Sequence, residues 1–315
     1  MNGVVVLDRS SLERVAARGS DRVGFLHNML SADIKKLGAG RGTEATFLTN
    51  KGKLIAYMTV FADDDQLLME MESTRVSSLM ESLSRYIISE NVVLEHLQEE
   101  ASLSVEGPDA SKILGSVAAI DSGELDALPH LGIRRSGDVR VTARCFDPSP
   151  RFDVAASPAT ALTLLNALRD AGATVAGPEL ARARRIESGR PQFGIDVNES
   201  HLPLEASLND AISFDKGCYI GQEYVVRLAH RGHLNRKLVG LRIDSPAPPL
   251  SGAKVMSGET AAGEVTSAAY SPTLGVTVAL GYVRSEFFEP GTELEVDDRK
   301  AVVSALPFAK NLRAH

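Results

Sequence analysis

From about residue 237 the chain reads as a small β structure. Six short apolar runs, at 239–243, 253–256, 262–269, 277–282, 293–296 and 300–305, follow one another closely. Pro246-Ala247-Pro248-Pro249, Ser257-Gly258 and Pro290-Gly291 punctuate them, since proline presets φ and glycine admits conformations closed to other residues. Six short strands at this spacing predict a barrel or a sandwich. The proline-rich stretch is the clearest break in composition.

The first 236 residues alternate hairpins with helices. A strand is predicted at 4–7. Ser10 or Ser11 is read as the cap of a helix reaching residue 18, with Leu12 and Val15 on one face. Asp21 caps a second helix carrying Val23, Leu26, Met29 and Leu30 at helical spacing. Strands at 43–49 and 53–62 flank the turn Asn50-Lys51-Gly52, and Asp63-Asp64-Asp65 turns the chain into a strand at 66–72. A helix at 74–86 and a strand at 92–97 complete the unit. A second unit follows: strand 101–106, helix 110–117, a hairpin of 132–135 with 139–145, strand 151–155, and helices at 158–171 and 179–188. The fold class is therefore α+β. Two similar helix-on-antiparallel-sheet units, 1–100 and 101–236, are expected to interleave, and 237–315 forms the barrel.

The 315 residues carry a net charge of −7, which argues against bulk nucleic-acid binding. The two cysteines, Cys145 and Cys218, are too far apart in sequence for a disulfide framework or a metal-ligand spacing. That suits a reducing compartment. The first residues lack the basic start and long apolar core of a secretion signal, and no window reaches the roughly 20 apolar residues of a membrane span. The expectation is a cytoplasmic protein with no membrane contact.

Three stretches carry chemistry. Asp215 to Glu223 reads D-K-G-C-Y-I-G-Q-E. Its glycines permit a tight turn, and the next residues read as a short helix or an extended apolar segment. If helical, they place Cys218 ahead of an N-terminus, where the dipole and Lys216 favour a thiolate. The alternative is a buried, inert cysteine. In Arg184-Arg185-Ile186-Glu187-Ser188-Gly189-Arg190-Pro191, Glu187 falls in the last turn of a helix, where a carboxylate opposes the dipole. It either pairs locally with Arg184 or Arg190, or accepts adjacent N–H groups from a ligand such as a pterin. In 227–237, Arg227, Arg231, Arg236 and Lys237 accompany His230 and His233. They form a solvated basic stretch or a cationic rim for an anionic ligand or partner. One cysteine and two histidines make an incomplete zinc set, so no metal site is expected.

K-G-C-Y-I-G-Q-E resembles the signature of YgfZ-type folate-binding proteins, relatives of the glycine-cleavage aminomethyltransferase, or T-protein. R-I-E-S-G-x-P-x-x-G-x-D-x-x-E-x-x-x-P-L-E, from Arg185 to Glu205, resembles the aminomethyltransferase pattern, with Gly194, Asp196, Glu199, Pro203, Leu204 and Glu205 in place. Tyr270-Ser271-Pro272-Thr273-Leu274-Gly275 resembles a turn of that family's barrel domain. One position departs. The strand after the N-x-x-G turn carries an Asp-Asp pair in the aminomethyltransferases, the first member being catalytic, and Ala56 and Tyr57 stand there here.

The resemblance implies three parts in a cloverleaf around a central folate channel. It implies tetrahydrofolate or a one-carbon derivative as cofactor, with Glu187 anchoring the pterin. Arg227, Arg231, Tyr219 and Gln222 would be further folate contacts, Cys218 the reactive thiol and Lys216 its electrostatic support. The implied function is that of a folate-binding accessory protein for iron–sulfur cluster assembly or repair, affecting tRNA modification through iron–sulfur enzymes. Its partners would be folate and iron–sulfur proteins or assembly factors. A folate-dependent one-carbon transferase or demethylase with other acid–base residues is one alternative; an interaction module that has lost folate is the other.

Overall fold

The computed structural model describes residues 3–63, 65–98, 100–145 and 150–308, with Arg231 in its backbone alone. Asp64, in one of the predicted turns, lies outside the described residues. The chain begins with β1 (Val5–Asp8), β2 (Leu12–Arg18), α1 (Arg22–Met29), β3 (Arg41–Leu48), β4 (Leu54–Ala62), β5 (Gln66–Glu72), α2 (Ser73–Ser84) and β6 (Val93–Leu97). It continues with β7 (Ala101–Glu106), α3 (Ala110–Ala118), α4 (Ser122–Asp126), β8 (Ile133–Ser136), β9 (Val139–Arg144), β10 (Arg151–Ala156), α5 (Pro158–Asp170), β11 (Thr174–Val175) and α6 (Pro178–Glu187). After α7 (Gln222–Arg231) come β12 (Arg236–Ile243), β13 (Lys254–Ser257), β14 (Thr260–Ser271), β15 (Val276–Arg284), β16 (Glu293–Val296) and β17 (Arg299–Ser304).

These strands make a five-stranded sheet, β3-β4-β5-β2-β6, a six-stranded sheet, β11-β1-β7-β10-β9-β8, and a closed barrel, β12-β15-β14-β13-β16-β17. The architecture is the expected α+β fold ending in a barrel. The six predicted terminal strands are the six staves, and they close on themselves instead of stacking as a sandwich. One element is corrected: 12–18 is a strand, not a helix. Its true period is two. Val15 and Ala17 enter the apolar core while Arg14 and Ala16 face the other way, and the apolar pair Leu12 and Val15 mimics one helical turn. The order of the first sheet also shows that β1 is not part of it. β1 lies in the second sheet, antiparallel to β7 and parallel to β11.

Each sheet covers one face with helices and turns the other toward its neighbour. In the first sheet, Ala56, Met58 and Val60 of β4 and Leu67, Met69 and Met71 of β5 pack with α1 and α2. In the second, Val139, Val141, Phe152 and Val154 pack with α3 and α5. The alternate residues meet between the sheets, and there the second sheet offers Arg140, Thr142, Arg144, Arg151, Asp153, Ser104 and Glu106, all well covered.

Those charges form a continuous chain. Arg14 is shared between Glu100 and Glu70; Glu70 also pairs with Arg144 at 3.2 Å. Arg144 and Arg151 hold Asp153 at 2.7 and 2.9 Å. Arg151 reaches Glu106 at 3.5 Å, Glu106 reaches Arg184 at 3.2 Å, and Arg184 reaches Glu187 at 2.8 Å. Ser271 of the barrel donates to Glu187 and ends the series. Removing an ion from water costs several kcal/mol unless opposite charge and hydrogen bonds compensate, and alternation of sign along the chain supplies both. Burial alone pushes the Glu70 carboxyl up, but Arg14 and Arg144 together hold it below the usual carboxylate range.

Candidate functional site

The three parts meet around a cavity of about 320 Å³, a size suited to a small organic ligand. Gly42, Glu44 and Tyr57 line it from the first sheet, His130 and Arg144 from the second unit, Ser188 to Pro191 from the loop after α6, Asp210 from the following segment, and Leu306 and Pro307 from beyond the barrel. A narrower recess of about 70 Å³ shares Tyr57, Arg144, Ser188, Arg190 and Pro191 with it and adds Arg9, Glu70, Glu72, Arg151 and Arg185.

Strand alternation decides what the cavity meets. Ala56 is fully buried and points into the helix-covered core; its neighbour Tyr57 points into the cavity. In the β3–β4 register Thr46 lies opposite Tyr57 and Glu44 opposite Thr59, so Glu44 is diagonal to Tyr57 on the same face. The Tyr57 hydroxyl donates to Glu44 Oε2 at 2.7 Å, and Arg190 pairs with the other oxygen of Glu44. Burial raises the Tyr57 pKa far above neutrality, so it is a neutral phenol. Burial, then Arg9, lowers Arg190 to about 10, which leaves it cationic at neutral pH. His130 is lowered to about 3 by burial and then Arg144, and its neutral ring accepts from the Cys145 amide at 3.1 Å. Asp210 is an exposed carboxylate on the rim that makes no ion pair among the described residues. The cavity thus offers a free carboxylate, a neutral aromatic wall and fixed cations. These residues fit a flat heteroaromatic ring bearing N–H donors and an anionic tail.

The motifs that flank the cavity join the parts together. Glu187 is fully buried, its oxygens taken by Arg184 Nη1 and Ser271 Oγ. Arg184 also donates to Thr273 Oγ1 at 2.6 Å, so the turn 271–275 docks on the end of α6. Asp196 accepts from Arg185, the Gln192 amide, Thr266 and Ser267, a second joint between the loop and the barrel.

The GCVT N-terminal domain model matches residues 1–216, and the glycine cleavage T-protein C-terminal barrel domain model matches 236–310. The chain belongs to the glycine-cleavage T-protein family. An aminomethyltransferase of Rubrobacter xylanophilus is 29% identical over 313 residues, covering 98% of this chain and 84% of the relative. The chloroplastic protein At1g60990 of Arabidopsis thaliana, named as a transferase, is 27% identical over 314 residues and covers 98% and 72%. The crystal structure of aminomethyltransferase T from Bartonella henselae superimposes with a TM-score of 0.88 at 21% identity, covering 98% of this chain and 87% of that one. The last shows a common fold.

Against this T-protein framework, the expected site residues separate. Glu187 lies beneath the cavity with its carboxylate committed to Arg184, the local pairing that its spacing allowed, and it lines neither the cavity nor the recess. Lys216 is buried, and its ammonium donates to the carbonyls of His27, Leu30 and Ala32 at the end of α1. It therefore closes that helix end, and no bond from it reaches Cys218. Tyr219 packs beside Leu48, Leu54 and Val225, with its phenol raised to about 12 by burial. Between these two buried side chains, Gly217 and Cys218 stand exposed. Gly221 sits at φ +82°, where a Cβ would meet the Thr49 carbonyl at 2.5 Å, so the loop can rest on the Asn50-Lys51-Gly52 turn only with glycine there.

The segment after the loop is helical, as one of its two readings had it, and Gln222 is its first residue. Arg227 is exposed on α7, paired with Glu223 and stacked near Tyr224. The Arg231 side chain lies outside the described residues. Neither Gln222 nor Arg227 lines the cavity. Sequence reasoning missed Glu44, Arg190 and Asp210. Glu44 and Tyr57 were accessible to it, since both sit on predicted strands with the cavity-side parity. Among the described residues no helix is long and apolar enough to cross a membrane.

Proposed function

We propose that the protein binds tetrahydrofolate or a one-carbon derivative in the central cavity and acts as a YgfZ-type accessory factor for iron–sulfur proteins, not as the glycine-cleavage transferase. One observation carries this: the position that faces the cavity after the Asn50-Lys51-Gly52 turn is Tyr57, a neutral phenol already bonded to Glu44. A phenol held far above neutrality is a poor general base. Asp210 is the free acceptor for the ring N–H groups, Tyr57 supplies a wall, and Arg190 and Arg144 attract the anionic tail. Support for the accessory role comes from Cys218, which the 216–219 loop holds out to solvent where a partner's thiol or cluster can reach it.

The Glu44–Tyr57 pair favours a second function, a one-carbon transferase in which Glu44 moves the proton. Titration calorimetry with tetrahydrofolate tests the first claim: heat of binding for the wild type and a loss of about tenfold in Asp210→Asn are expected. Absence of binding by the wild type removes folate. Complementation of a strain lacking its own YgfZ-type protein separates the roles. Failure of Cys218→Ala with normal rescue by Glu44→Gln supports the accessory function; the reverse pattern supports transfer.

A further inference from the structure

We infer that the protein carries a second ligand site at Arg9, opening through its own mouth, which takes a small zwitterionic amino acid. This goes beyond the folate cavity and does not depend on it. Arg9 follows β1, its amide tied to the Ser102 carbonyl at 3.0 Å. Its side chain lines the 70 Å³ recess and also a separate outer cavity of about 590 Å³ that opens beside Asp8, Ser11, Gly177, Arg182 and Gln192. Arg9, Glu72 and Arg185 belong to both, so these side chains stand between the recess and the outer cavity, which shares no lining residue with the folate cavity.

The arginines around the recess are otherwise engaged. Arg144 holds Glu70 and Asp153, Arg151 holds Asp153, Arg185 holds Asp196, and Arg190 holds Glu44. Arg9 makes no ion pair and no side-chain hydrogen bond among the described residues, and its Nε is shielded from solvent without a partner. A guanidinium left so is costly, and a carboxylate satisfies two of its donors in a fork. Burial and the nearby Arg151 lower its pKa, the condition an incoming anion relieves.

Glu72 supplies the complementary charge. It lines the same recess and outer cavity, held by Ser11 and Gln192, with its carboxyl raised by burial despite Arg9. A cation beside it would be stabilised as an anion beside Arg9 would. Size decides the class further. A recess of about 70 Å³ has room for roughly two waters at about 30 Å³ each, enough for a carboxylate and too little for a pterin. The wide outer cavity leaves the side chain of the ligand unconstrained.

Equilibrium binding to the full chain without folate, with glycine, alanine and glutamate as probes, tests the site. At least one should bind the wild type, and Arg9→Gln and Glu72→Gln should each weaken it at least about tenfold. Acetate should lose affinity only in Arg9→Gln, and Arg9→Lys should keep part of it. Tetrahydrofolate affinity should change less than about twofold in all three variants. The proposal is overturned if none of the amino acids binds, if Arg9→Gln binds them unchanged, or if inorganic phosphate binds more tightly than any of them. It is also overturned if Arg9→Gln loses tetrahydrofolate but not its glutamate-free pteroate analogue, because Arg9 then serves the folate tail. If Arg9→Gln fails to fold, Arg9→Lys and Glu72→Gln take its place, and unchanged amino-acid binding by both overturns the site.

Discussion

The charges between the two sheets and the lysine of the 215–223 loop are both taken out of water, but by different partners. Between the sheets, Arg14 and Arg144 each have an acid on either side, contributed by strands far apart in sequence. In the loop, Lys216 makes no ion pair among the described residues; its ammonium donates to the carbonyls of His27, Leu30 and Ala32 at and just beyond the end of α1. A neutral acceptor set holds a cation less strongly than a carboxylate does. The first arrangement fixes how whole sheets sit on one another. The second ties one loop to one helix end. Damage should therefore spread widely in the first case and stay local in the second.

The largest test of that contrast is Glu70→Leu. It strands Arg14 and Arg144 without their shared acceptor and should remove about 3–5 kcal/mol of stability. A loss under about 1 kcal/mol in urea unfolding would show that the charge chain does not hold the sheets together. The same chain sets an acid limit. Glu70 and Asp153 both have carboxyl groups lowered by neighbouring arginines against the effect of burial. A lowered carboxyl binds fewer protons folded than unfolded, so its stabilisation is complete above the unfolded value near 4 and is lost as pH falls toward the folded value. Melting should weaken steadily below about pH 5 in the wild type, and less steeply in Glu70→Leu.

Lys216→Met comes next, at about 2–3 kcal/mol, with hydrogen exchange faster in α1 and unchanged between the sheets. Exchange that quickens in both regions would erase the distinction. Tyr57→Phe deletes one bond to Glu44 and should cost about 1 kcal/mol. The smallest effect belongs to Cys218→Ser. That side chain is exposed on its loop, and the change should stay within about 0.5 kcal/mol while abolishing fast labelling by a thiol reagent in the folded protein.

The sequence showed those parts of the fold that local chemistry decides. The six barrel strands were visible because proline and glycine stand between apolar runs, and the turn at Asn50-Lys51-Gly52 because its glycine takes φ +72°. The 12–18 strand was hidden by two apolar residues at helical spacing. Within the site, Lys216 read as chemistry because a lysine beside a cysteine suggests a lowered thiol pKa; the carbonyls that claim it lie about 185 residues earlier and leave no local mark. Glu187 is bonded to Ser271, which reaches it from the barrel and likewise leaves no local mark in the sequence. Arg9 gave no signal at all. Its distinction is a missing partner, which only the assembled sheets reveal. Tyr57 entered only as the neighbour of Ala56; strand parity puts the two on opposite faces, and the packed core on Ala56 decides that Tyr57 faces the cavity.

The position of β1 carries a consequence for biosynthesis. Val5 takes its place between Glu106 and Thr174, so β1 is synthesised before the other members of its layer exist. At about 5–20 residues per second, it waits roughly 10–30 s for the last of them. Meanwhile the segment from β2 to β6 can finish its own layer. Nascent chains stalled before β7 has emerged should therefore display a folded first layer beside an unpaired, apolar Val4-Val5-Val6-Leu7 segment, a natural handle for a chaperone.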